Sequence, residues 1–225
     1  MHSLQIKDIH YQLIDGHQKR HLLKGCDIKL NSGEKVLITG ASGSGKTTLL
    51  NIILGYLHPS QGEVFWGEQN IVSLNTIKKD QVRSRHCGVV FQHPYFLDEL
   101  TVLENIILPL KIQKKSINID EVEAMASQFG LNSNLLQQQP SFLSGGERTR
   151  ANLLRSLMHY PQFLIADEPT AALDSQMSQK VFESFADHAL FANKGLLVVS
   201  HDVNISEYFD RVYQLINGTL EEMDV

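Results

Sequence analysis

The sequence predicts an α/β fold, with a mixed sheet core, an antiparallel β subdomain and an α-helical subdomain. Three observations carry that prediction. The apolar runs Lys35–Thr39, Cys87–Gln92, Phe163–Glu168 and Gly195–Ser200 read as buried strands of a parallel core. Near the N-terminus Leu4–Tyr11 alternates with period two, as a half-buried strand does. From Leu100 to about Arg155 the period becomes helical. We expect one domain over 1–225, with a helical insertion at about 94–157.

Composition sets the class. The chain has 225 residues, 42% hydrophobic and 20% charged, which suits a globular protein with a sizeable core. Its net charge of −5 argues against a broad nucleic-acid surface. Cys26 and Cys87 form no spaced motif and read as two reduced, packed thiols. No apolar run approaches the ~18–20 residues of a membrane span, and the N-terminus lacks a signal-peptide core. The expectation is a cytoplasmic protein unless a partner holds it at a membrane.

In chain order, Leu4–Tyr11 predicts a first strand and Leu22–Leu30 a second, with a hairpin tip over Gly16–Arg20. Tyr11 is a candidate to stack on a nucleotide base, although an aromatic on a strand is as often core. Glu63–Trp66 reads as a strand, and Lys78–Arg85 as a charged helical connection whose basic residues form a solvated face. A helix near Thr101–Leu108 is capped by Thr101 and stopped at Pro109. A second spans Ile119–Phe129 with Gly130 as its stop, and a third runs from Ser144 past Leu157. Ser178–Phe191 reads as a helix, and Asn217-Gly218 as the turn of a closing hairpin.

The chemistry starts at Gly40-Ala41-Ser42-Gly43-Ser44-Gly45-Lys46-Thr47-Thr48, set between a strand and a helix. That spacing is the phosphate-binding Walker A pattern. Its glycines let backbone N–H groups and a helix N-terminus converge on a polyphosphate. Lys46 reaches the β- and γ-phosphates as a point charge, and the Thr47 hydroxyl is placed to ligate Mg²⁺. The run Phe163–Glu168 closes on two adjacent carboxylates. Asp167 is positioned to hold Mg²⁺, and Glu168 is the candidate general base for an attacking water. Gln92 and His201 end parallel strands, where ligands of open α/β sheets collect.

Leu143-Ser144-Gly145-Gly146-Glu147-Arg148 resembles the signature motif of ATP-binding-cassette (ABC) ATPases, which other P-loop proteins lack. The order Tyr11, Walker A, Gln92, signature, a Walker B run at 163–168 and His201 resembles that family over essentially the whole chain. Pro169–Asp174 looks like its D-loop. The resemblance implies head-to-tail pairs of cassettes with two ATP molecules between them. Ser144, Gly145 and Gly146 would then bind the γ-phosphate in trans. Gln92 would touch Mg²⁺ and the attacking water while signalling to a transmembrane permease. His201 would contact the γ-phosphate, and Asp174 would lie across the dimer interface. The stretch Phe91–Leu110 resembles the bacterial lipoprotein-release, macrolide-export and cell-division group, whose subunits sit on the inner face of the cell membrane through a permease. Thr149, Asn152 and Ala171-Ala172 depart from that group's pattern without removing a catalytic group. A soluble ABC-type ATPase of DNA repair or translation is the rival reading. A GTPase switch fits worse, because the Asp expected after Asn193-Lys194 is replaced by Leu196.

Overall fold

The computed structural model describes residues 3–15, 18–186 and 193–223. Four strands, β1 (Ser3–Asp15), β2 (Gln18–Asn31), β4 (Gln61–Trp66) and β5 (Gln69–Asn70), form an antiparallel sheet in the order β2-β1-β4-β5. A six-stranded sheet has the order β10-β9-β3-β8-β7-β6. Its members are β3 (Lys35–Thr39), β6 (Cys87–Val90), β7 (Phe163–Asp167), β8 (Gly195–Val199), β9 (Arg211–Ile216) and β10 (Thr219–Met223). Only β10 runs antiparallel to its neighbour. Of the hairpin tip expected over Gly16–Arg20, residues 18–20 already belong to β2, and residues 16 and 17 lie outside the described residues.

Period-two alternation divides the interior in two. Leu37, Leu164, Ala166, Leu196 and Val198 point from the parallel strands into a core shared with helices α3 (Val102–Ile112), α4 (Ile119–Gln128), α6 (Gly145–Leu157) and α7 (Ser175–Ala186). Their neighbours Val36, Ile38, Phe163, Ile165, Leu197 and Val199 point the other way. There they meet α1 (Lys46–Ile53) and the inner face of the antiparallel sheet through Leu4, Ile6, Leu30 and Val64. A strand buried on both faces must be apolar throughout, which is why these runs are continuous. Trp66 seals the second core, donating from Nε1 to the Ile53 carbonyl at 3.0 Å and meeting the Phe163 ring edge-on.

Helix boundaries follow local chemistry. Thr101 and Glu104 form a capping box at α3, and Ser144 and Glu147 form another at α6. Gly130, with φ +66°, ends α4 while Gly130 N and Leu131 N return to the Ser127 and Ala126 carbonyls. Pro109 does not stop α3. The helix continues to Ile112 because Val102, Ile106 and Leu110 stay in one buried stripe, and the chain turns at Lys114 in the left-handed region. A short helix α5 (Ser133–Leu136), capped by Asn132, was not expected. Helix α7 begins at Ser175, ahead of the expected Ser178, and its expected end at Phe191 lies outside the described residues.

The connection α2 (Thr76–His86) is a helix, but Arg83 is no part of a solvated face. Its guanidinium lies 4.0 Å from the Tyr56 ring centroid and donates to the Leu54 carbonyl at 2.8 Å. Both thiols are buried and free; burial pushes Cys26 up to about 11 and raises Cys87 further.

Helix α6 reaches the sheet at one crowded point. A Cβ on Gly88 would stand 2.3 Å from the Ser156 backbone carbonyl oxygen. Gly88→Ala is therefore expected to destabilise the fold by roughly 1–3 kcal/mol, read from the midpoint of urea unfolding.

Candidate nucleotide site

Strand register brings the functional residues to one edge. Ile38 and Asp167 both align with Val199, and Val90 aligns with Ala166. The chain therefore leaves β3, β6, β7 and β8 at the same C-terminal edge, carrying the loop from Gly40, Gln92, Glu168 and His201 respectively. From β9, on the far side of β3, the Tyr213 carbonyl accepts a hydrogen bond from Thr39 Oγ1 at 3.2 Å.

The loop itself depends on two glycines. Gly40 has φ +151°, and a Cβ there would lie 2.9 Å from the Leu215 carbonyl oxygen. Gly45, the N-cap of α1, has φ +111° and would place a Cβ 3.1 Å from Leu22 Cγ. Since Gly45 offers no side-chain cap, the N-terminal amides of α1 are left to an anion. Lys46 is 7% exposed and folds back over the loop, donating from Nζ to the Gly40 and Ala41 carbonyls at 2.8 and 3.1 Å. Ala41, Ser42, Gly43 and Ser44 line a cavity of about 700 Å³ whose other wall is His21, Leu22, Lys24 and the 214–218 hairpin. Thr48 follows in the first turn of α1. Tyr11 is outside that lining: it faces Leu23 across the strand pair and packs, half-buried, on the core.

Unpaired oxygens mark the site. Among the described residues, the buried side-chain polar atoms without a hydrogen-bond partner are Ser44 Oγ, Arg150 Nε, His159 Nδ1 and Asp167 Oδ1. Two of these belong to the loop and the strand end beside it. An unsatisfied buried oxygen costs roughly 1–3 kcal/mol unless a ligand completes it. Burial raises the Asp167 pKa and the Glu168 charge adds to it, while a Thr47 hydrogen bond and Lys46 act in opposition. A hydroxyl at Thr47 beside a bare carboxylate oxygen is a hard-donor set that fits Mg²⁺ shared with substrate phosphates. Gln92, exposed at the end of β6, can add an amide oxygen.

Glu168 takes a left-handed backbone, φ +49°, and its N–H bonds the Val199 carbonyl at 2.8 Å. That twist turns its side chain towards β8. His201 Nδ1 stands 2.9 Å from both carboxylate oxygens, and Ser200 Oγ donates to Oε2 at 3.3 Å. The carboxylate is mostly covered, whereas the His201 side chain is 68% exposed.

The signature lies elsewhere in the chain. Ser144 and Gly145 are exposed at the N-terminus of α6, and Gly146 is half-buried near Leu173. None of the three lines the cavity at the phosphate loop. The Ser144 hydroxyl and amide both bond Glu147 Oε2, at 2.7 and 2.8 Å, which holds the Glu147 carboxyl below its usual range. Asp174 has a local task, accepting the Met177 N–H at 2.9 Å at the start of α7.

Sequence reading missed the wall of His21, Leu22 and Lys24 and the 214–218 hairpin, because each reaches the site from a strand distant in sequence, and it missed Ser200 because that hydroxyl's bond to Glu168 joins two strand ends. It also missed what Asn152 does. Fully buried on α6, Asn152 accepts from Arg155 Nη2 at 2.8 Å and lies 3.5 Å from the Phe91 carbonyl, next to Gln92.

Fold and site together define a P-loop nucleotide-binding ATPase domain. The sequence profile of the ABC transporter family matches residues 23–171. The lipoprotein-releasing system ATP-binding protein LolD of Hydrogenovibrio crunogenus is 38% identical over 217 residues, 96% of this chain and 94% of its own. The putative hemin import ATP-binding protein HrtA of Staphylococcus haemolyticus is 35% identical, covering 97% of this chain and 99% of its own. A solved dimeric structure, the post-hydrolysis state of the ATP-binding cassette MJ0796 bound to ADP and Pi, matches with a TM-score of 0.90 at 30% identity over 98% of both chains. The chain belongs to the ABC transporter family and is its ATP-binding subunit, an ABC-type ATPase.

The raised Asp167 pKa has a sign. The folded chain keeps that proton to higher pH than the unfolded chain, so ionising Asp167 costs stability as pH rises past its ordinary 3.8. Without nucleotide or Mg²⁺, Asp167→Asn is expected to raise the denaturation midpoint at neutral pH, with the gain fading towards pH 3.8. The same variant should weaken Mg²⁺-dependent ATP binding by about 10- to 100-fold in calorimetry.

Proposed function

We propose that the protein powers a separate transmembrane permease through ATP-driven closure of two copies, head to tail, around two ATP molecules. The observation that carries this reading is the sheet edge itself. Two bare oxygens, a buried lysine and a paired Glu168–His201 converge there, while the signature corner stays exposed and away from its own phosphate loop.

In this reading the loop Gly40–Thr48 wraps the phosphates, and Lys46 exchanges its two carbonyl partners for the β- and γ-phosphates. Thr47, Asp167 and Gln92 would hold Mg²⁺, which when bound neutralises phosphate charge. Glu168 orients the water and takes its proton as the new oxygen–phosphorus bond forms; ADP leaves with inorganic phosphate as the other product. His201 turns from Glu168 to the γ-phosphate. Ser144, Gly145 and Gly146 of the second copy supply amides at a helix N-terminus to the same phosphate. Asp174 meets the partner's surface, and Tyr11, packed on β1 outside the loop cavity, would have to turn outward to flank the base.

The permease is expected beside Gln92. Tyr56, Phe91 and Tyr95 form a run of rings with centroids 6.2 Å apart, and Tyr95 and Leu97 are 74% and 49% exposed. Fully buried Asn105 fixes this loop, its side chain bonding Leu97 N, Leu97 O and Thr101 O at 2.9 Å. Arg155 lies 4.7 Å and Arg148 5.4 Å from the Phe96 ring centroid. Motion of the signature helix is thereby tied to the loop that would carry it. Residues 94–157 act as the helical lobe of a single cassette, held on the inner face of the cell membrane by the permease. The cargo belongs to the permease: the relatives' names divide between lipoprotein release, hemin import and macrolide export.

Glu168→Gln is the test. It is expected to bind ATP, to lose about 10²–10⁴-fold in turnover and to elute as a dimer in ATP. A variant that turns over at the wild-type rate, or stays monomeric with ATP trapped, overturns the reading.

A further inference from the structure

The mechanism asks His201 to leave Glu168, and something must then keep the carboxylate aimed. Ser200 has the geometry for it. The residue is 3% exposed, and its amide bonds the Ile38 carbonyl at 3.1 Å, so its backbone is fixed between β3 and β8. Its hydroxyl has two neighbours. The Asp202 N–H donates to Ser200 Oγ at 3.1 Å, and Glu168 Oε2 lies 3.3 Å from the same oxygen.

An amide can only donate, so the bond from Asp202 uses a hydroxyl lone pair and leaves the proton for the carboxylate. The rotor is thus set by the turn that carries His201. That turn is itself closed by Asp202 Oδ1, which accepts from the Asn204 amide and Nδ2, both at 2.9 Å. Among the described residues, two side chains bond Glu168: the imidazole, 68% exposed, stands on the outer side, and the hydroxyl is buried behind it.

We propose that Ser200 is a positioning residue: its hydroxyl holds the Glu168 carboxylate for the attacking water when His201 turns to the γ-phosphate. The Glu168 backbone, bonded to Val199 O and held at φ +49°, sets where the side chain starts. Ser200 sets where it ends. The inference rests on Glu168 acting as the base, and it adds a residue that no motif of the chain contains.

The test uses the full chain with Mg²⁺ and ATP. Ser200→Ala is expected to lower kcat by about 10- to 100-fold, the scale of a misplaced reacting group, with KM for ATP and binding of a non-hydrolysable ATP analogue unchanged. Because hydrolysis slows, the variant should accumulate as an ATP-bound dimer in size-exclusion chromatography. Ser200→Thr keeps the hydroxyl and should restore most of kcat, whereas Ser200→Val, of equal bulk, should not. In a Glu168→Gln background Ser200→Ala should change the residual rate less than twofold. Ser200→Ala or Ser200→Val with wild-type kcat overturns the proposal, as does an equal loss from Ser200→Thr. If Glu168→Gln itself turns over normally, the base assignment fails instead, so the two failures are separable.

Discussion

The parallel register of β3, β8 and β7 is the constraint on which the site depends. Each of those strands is buried on both faces, so its interior can hold no functional polar group without a partner. Polar chemistry is driven to the strand ends. Since the strands run parallel, their C-terminal ends coincide, and Ile38, Val199 and Asp167 share one level. The phosphate loop, both carboxylates and His201 are neighbours for that reason.

The two cores then decide how the site is supported. One face of the sheet locks α1 against the antiparallel sheet, which fixes the helix N-terminus at the phosphate loop. The other face carries α3, α4, α6 and α7, and with them the signature corner. Gly88 lets α6 approach the sheet closely, next to the strand that ends in Gln92. A single helix thus touches both the segment that would meet a second nucleotide and the loop beside Gln92. Hydrogen bonds of Asn152, Arg155 and Asn105 hold the helix and that loop together.

The site is also where the fold gives up stability. Buried Ser44 Oγ and Asp167 Oδ1 stand without partners, Lys46 is satisfied by carbonyls of its own loop, and Glu168 sits in a left-handed backbone. Such local costs persist where the surrounding structure over-determines them. In the proposed reading a nucleotide would offer oxygens to the lysine, and a bound Mg²⁺ would complete the bare carboxylate.

Much of this was legible in the chain. Glycine spacing, a continuous apolar run closing on Asp167-Glu168, and the Ser144-Gly145-Gly146 corner are local patterns, set by backbone sterics and the period of each element. The helix cap at Thr101, the helix start at Ser144 and the Asn217-Gly218 turn are local too, and the structure has them. Pro109 misled because a proline only forbids one bond, while the buried stripe of α3 extends through it. Arg83 misled because a guanidinium can lay its charge on a tyrosine face and a carbonyl brought from residues 54–56. The cavity wall of His21, Leu22 and Lys24, the tie between Asn152 and Phe91, and the Ser200 hydroxyl on Glu168 were decided only by tertiary structure. Sequence alone determined which groups could do phosphate chemistry; the folded chain decided which atoms face them, since strand register sets distances between residues that no local spacing relates.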